Sequence, residues 1–132
     1  MSTSPTFHLL AGAPRPVAPY SHAVDIHGTV HVTGQLATDP DDDSLPMPDG
    51  IEAQTAKVMD NLQRVLRGVG LGLEHVVSVR VFLTAFERDY AAMNTLYATY
   101  FPADRRPART TVGVTALARG GLIEIDLIAV RP

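Results

Sequence analysis

The sequence predicts an α+β domain of two layers, with two helices covering one face of a sheet. Three observations predict it. Short β-branched runs stand at both ends of the chain, and two interior segments carry helical apolar periodicity. Read in order, the segments run β-β-α-β-α-β-β with no internal repeat and no linker, which suits one two-layer unit spanning 1–132. At 132 residues the chain can bury a sizeable core without staples.

The first strands are HAVDI (22–26) and TVHVTG (29–34), joined at His27-Gly28 as a hairpin. ATDPDDDSLPMPDG (37–50) is a loop by composition. Asp49 lies three residues before Glu52, the spacing of a capping box with Asp49 as the cap. Thr55, Val58, Met59, Leu62, Val65, Leu66 and Val69 then follow i, i+3, i+4, i+7 spacing, predicting a helix at about 50–67, stopped by Gly68, Gly70 and Gly72. In VVSVRVFL (76–83), Val77, Val79, Val81 and Leu83 share one face of a strand, while Val76, Ser78, Arg80 and Phe82 share the other. A second helix is expected in RDYAAMNTLYATYF (88–101), through Tyr90, Met93, Leu96, Tyr97 and Tyr100, ending before Pro102. TTVGV (110–114) and LIEIDLIAV (122–130) are the closing strands, expected as a second hairpin around Gly120 and Gly121.

Composition excludes several functions. Hydrophobic residues make up 45% and charged residues 19%, as in a globular protein rather than a disordered one. Without cysteine there is no disulfide, thiol nucleophile or Cys-based metal site. No apolar run approaches the roughly 18 residues of a membrane helix. The N-terminus lacks the pattern of a secretion signal, so the expected location is the cytoplasm and no membrane partner is expected. A net charge of -3 gives no general attraction to nucleic acid. No metal site is expected either: His27 and His31 flank a turn, and the run Asp39, Asp41, Asp42, Asp43 lacks the Gly and terminal Glu of a calcium loop. GVGLG (68–72) ends a helix instead of opening one, so it offers no helix dipole to a phosphate.

Two charged groups carry more. In LIEIDLIAV, Ile123, Ile125 and Leu127 alternate with Glu124, Asp126, Ile128 and Val130. A carboxylate among apolar residues on its own face is expected to be partly covered, and a covered charge needs a partner or a purpose. An exposed sheet edge is the competing reading. Arg109 in RRPARTTVGV (105–114) is the expected counter-charge, on the supposition that TTVGV pairs with the last strand. Arg105 and Arg106 read as loop charges.

These residues together resemble the Rid (YjgF) family of reactive-intermediate deaminases. APYSHAV is similar to the family's Pro-Tyr-Ser entry to its first hairpin, and VHVTGQLATDP to its strand-Gly-Gln segment. MNTLYATYF resembles its second helix, PART its Pro-Ala-Arg signature, and IEIDLIAV its closing strand. Each is weak alone; the five in order, from Pro14 to Val130, are specific.

The resemblance implies a mixed sheet with two helices on one face, chorismate-mutase-like and trimeric, with active sites in clefts between subunits. It implies hydrolysis of 2-imino or enamine acids to 2-oxo acids and ammonia, with no cofactor. Carried over by motif, Arg109 would clamp the substrate carboxylate and Glu124 would hold the attacking water. Tyr20 would line the cleft, Gly34 would offer backbone polar groups beside Thr33, and Asn94 and Thr111 would complete the wall. His22 stands where many members have Gln, Gly113 where many have Glu, and Thr111 where Cys is frequent; these departures bear on substrate preference. The competing readings are an RNA-binding or RNA-cleaving protein using Arg105, Arg106 and Arg109, and a non-catalytic trimer that binds a small ligand. Against RNA stand the net charge, the lack of Trp and the lack of aromatic residues among the basic ones.

Overall fold

A computed structural model describes residues 4–132. Among them run β1 (Thr6–His8), β2 (Ala23–Ile26), β3 (Thr29–Gln35), α1 (Ile51–Gly68), β4 (Val76–Leu83), α2 (Phe86–Tyr97), β5 (Ala108–Gly113) and β6 (Ile123–Val130). The strands form one mixed six-stranded sheet in the order β1-β2-β3-β6-β4-β5. Every neighbouring pair is antiparallel except β4–β5, which is parallel and crosses over through α2. The helices pack on each other and on one face of the sheet, α1 over β3 and β6, α2 over β4. This is the two-layer α+β architecture the sequence predicts.

The second terminal hairpin does not form. TTVGV pairs with β4 and not with the last strand, because β6 lies between β3 and β4 at the centre of the sheet. The sequence also gave no sign of β1, whose three residues are too few to show alternation.

Helix α1 buries the predicted stripe of Thr55, Val58, Met59, Leu62, Val65 and Leu66, and adds Ile51, Gln54 and Asn61. Its end is a Schellman motif: Gly70, at φ 79°, donates its N–H to Arg67 O, and Leu71 donates to Leu66 O. Its start differs from expectation. Gly50, at φ 86°, is the cap, and no side chain caps the helix. A positive φ at that position suits glycine, and it leaves Asp49 exposed outside the first turn. Gln54 secures this end instead, donating to Pro48 O (3.0 Å) and accepting from the Leu122 N–H (2.9 Å).

Strand β4 carries a bulge. Val76 pairs with Ala129 and Ser78 with Ile128, so Val77 is the extra residue. The bulge turns Val76 into the core and leaves Val77 48% exposed, the reverse of what strict alternation predicts. From Val79 onward alternation holds, with Val79, Val81 and Leu83 buried under the helices.

Candidate functional site

The register decides which side chains can meet. In β6, Ile123 and Ile125 are fully buried on the helix face, so Glu124 between them points to the open face. It shares a row there with Phe82 of β4 and Val112 of β5. Arg109 pairs with Val79 and Thr111 with Val81, which places both on the helix face, beneath α2. The sheet itself therefore separates Arg109 from Glu124 within one chain. The expected direct pairing of these two charges is overturned: β4 stands between their strands and their side chains leave opposite faces.

The seven expected site residues fall into two groups. The first is a cleft of about 200 Å³ lined by Tyr20, Thr33, Gly34 and Glu124, together with Pro14, Arg15, Val17 and Ala18 of the N-terminal loop. A second bulge shapes it. Val32 pairs with Leu127 and Gln35 with Ile125, so Thr33 and Gly34 together oppose Asp126. The backbone of Gly34 then runs against the Glu124 side chain: a β-carbon at Gly34 would collide with Oε2 and lie 3.0 Å from Cδ. Only glycine leaves the carboxyl where it is.

Glu124 is half-buried and makes no hydrogen bond or ion pair with another described residue. Burial pushes its carboxyl above the ordinary value of 4.5, and neighbouring Asp126 pushes the same way. Asp126 is itself occupied, taking a two-pronged bond from Arg80 at 3.0 and 2.6 Å. Tyr20 is 38% exposed, and its hydroxyl accepts the Val17 N–H at 3.2 Å.

The second group lies at the β5 edge. Arg109 donates to Asn94 Oδ1 at 2.7 Å, and its guanidinium carbon lies 4.8 Å from the centre of the Tyr97 ring. These two contacts hold the guanidinium over the ring and leave its remaining N–H groups without a described acceptor. Two buried hydroxyls nearby, Thr111 Oγ1 and Tyr97 Oη, also lack a described partner. Burial raises the Tyr97 phenol, with Arg109 and Arg106 opposing it. Sequence reasoning missed Tyr97 as a site residue because its i+4 spacing from Met93 reads as core, which it also is. Arg105 turns away to the Glu74 carbonyl (3.3 Å), so the three arginines do not form one basic patch.

The comparisons with known proteins agree with this fold. Residues 10–131 match the model of the family described as Endoribonuclease L-PSP. A RutC family protein of Synechocystis is 40% identical over 92% of this chain and 93% of its own. The mouse 2-iminobutanoate/2-iminopropanoate deaminase is 36% identical over 90% of this chain and 86% of its own. Among solved structures, a Rid family protein from Yersinia pestis superposes with a TM-score of 0.88 at 32% identity, covering 97% of this chain and 100% of that one. The E. coli YjgF product superposes at 0.86 with 28% identity, covering 96% and 99%. With a family match across nearly its whole length and the same six-stranded architecture, the chain belongs to the Rid (YjgF) family.

Proposed function

We propose that the protein hydrolyses 2-imino acids and their enamine tautomers, such as 2-iminopropanoate and 2-iminobutanoate, to 2-oxo acids and ammonia. It does so without a cofactor, as a homotrimer whose clefts each join the Glu124 group of one subunit to the Arg109 group of the next. One observation carries this reading. The two groups have complementary unmet chemistry but leave opposite faces of one sheet. The name of the mouse relative supports the reaction class.

The chemistry asked of the site is modest, because a protonated imine is already electrophilic. Arg109, held by Asn94 and over the Tyr97 ring, offers two parallel N–H donors to the substrate carboxylate. Glu124 accepts a proton from water as the water oxygen bonds to the imine carbon. The carbinolamine nitrogen then takes that proton, the C–N bond breaks to release ammonia, and the remaining hydroxyl loses its proton to leave the 2-oxo acid. A carboxyl raised by burial is a stronger base for the first transfer, and it holds the proton until the more basic carbinolamine nitrogen takes it.

The test is ammonia release from freshly generated 2-iminopropanoate, first with the wild type and then with mixed subunits. Arg109→Ala and Glu124→Gln are each expected to be inactive alone. Refolded together in equal amounts, they should regain up to about a quarter of wild-type activity, since about one interface in four joins two intact halves. No recovery on mixing would place the whole site within one chain and reject the shared cleft.

A further inference from the structure

We infer that His22 is a positioning residue, holding the loop that forms the Tyr20 wall of the Glu124 cleft. Its side chain is 2% exposed and both ring nitrogens are used. The Leu10 N–H donates to Nδ1 at 2.8 Å, so Nε2 carries the proton and donates to the Pro14 carbonyl at 2.6 Å. Its backbone works equally hard: its N–H donates to His8 O of β1 (2.9 Å), and its carbonyl accepts from Thr33 (3.0 Å), the first residue of the β3 bulge. One residue thus joins β1, the Thr33–Gly34 wall, and the loop whose Pro14, Val17, Ala18 and Tyr20 line the cleft.

Apolar packing seats the start of the loop, where Ala13 is buried in the core and Leu10 packs against it, but few polar bonds hold the rest. Among the described residues, the only other hydrogen-bonded tie from 9–20 to the rest of the chain joins Arg15 to Asp43. Arg15 is 76% exposed there, so solvent screens this pair even though Asp43 itself is largely covered. The remaining bonds, Ala13 to Leu10, Tyr20 to Ala18 and Val17 to the Tyr20 hydroxyl, are internal to the loop. Glu124, by contrast, is fixed by the central strand. Losing the His22 ring should therefore disturb where substrate sits and leave the proton-transfer group in place.

The experiment has two arms, of which only the kinetic one rests on the imine-hydrolase reading. In the first, amide hydrogen exchange of 10–20 should quicken by about tenfold or more in His22→Ala, with β6 unchanged. His22→Gln, whose planar amide supplies both an acceptor and a donor, should restore wild-type exchange. Unchanged loop exchange in His22→Ala would overturn the inference. In the second arm, His22→Ala should raise KM about tenfold with kcat within about threefold, and His22→Gln should recover KM. Combined with Tyr20→Ala, the KM effects should be non-additive, because His22 acts through that wall. Additive effects, or a fall in kcat at unchanged KM, would show that His22 does not act through Tyr20. A wild type that releases no ammonia would remove the functional reading only, and the exchange arm would then decide on His22 alone.

Discussion

The surroundings of Glu124 disfavour its charge. Its carboxyl is pushed above 4.5 in the fold, so ionisation is harder there than in the unfolded chain. By linkage, whatever stability it contributes is fully present below its unfolded value and is lost as pH rises through the folded one. Glu124→Gln should therefore melt at or above the wild-type temperature at pH 7, with the gap closing as pH falls below 4.5. The same variant should lose about a hundredfold to ten-thousandfold in kcat, with KM little changed. A variant that is less stable at pH 7 with kcat intact would make Glu124 a structural charge partner. Arg109→Lys separates charge from shape: lysine keeps the cation but cannot offer two coplanar donors or keep the guanidinium contact with the Tyr97 ring. Losing a charged hydrogen bond costs on the order of 1.5–3 kcal/mol, or about tenfold to a hundredfold in rate. Arg106→Lys, measured beside it, should change little. Activity of Arg109→Lys within about twofold of wild type would show that the arginine is not the clamp.

At the level of the strand, the β3 bulge is what lets a carboxyl lie against backbone. Gly34→Ala demands no forbidden dihedral, but its methyl would take the space of Glu124 Oε2. The side-chain end can swing away, so the expected outcome is a folded protein, with a melting temperature within a few degrees of wild type. Its kcat should fall about tenfold or more as the carboxyl moves off the water position. Full activity would show that the Glu124 position is not critical. The two bulges also mark where sequence reading stops. Helix α1 was legible because its stripe repeats over about four turns, and the alternation of β6 set Glu124 on a face with apolar residues, where it is partly covered. A bulge adds one residue without changing composition, so nothing in VVSVRVFL distinguishes Val77 as the residue turned outward. The β4–β5 pairing was illegible for another reason. Hairpins are local and betray themselves by their turns, whereas a parallel pair joined through a helix leaves no local mark. That gap produced the one error at the site, the supposed contact of Arg109 with Glu124. Asp49 failed more simply: a Gly at the next position took the cap. The site residues themselves came from their motifs; Tyr97 lies within MNTLYATYF, but its apolar spacing assigned it to the core.

For the whole molecule, the open face of the sheet sets the expectation of assembly. Val112 and Val130 are 41% and 40% exposed there, beside half-buried Phe82 and Ile128 and with no helix above them. Covering that face with neighbouring subunits would remove it from water and bring each Glu124 group to a second chain. Sedimentation at micromolar concentration should find a trimer; a stable monomer would sink the shared cleft. A separate consequence concerns the order in which the chain can fold. β6 lies inside the sheet, between β3 and β4, yet it follows every other described strand in the chain. Its partner Thr29 lies about a hundred residues upstream of Val130, so the pairing that completes the core has a high closure cost and forms late. Until it arrives, β3 and β4 each present a bare hydrogen-bonding edge. A chain ending before Ile123 should therefore aggregate rather than persist as a smaller folded unit, and with a linker fused after Pro132 to span the exit tunnel, a ribosome-bound chain should resist protease only once Val130 has emerged.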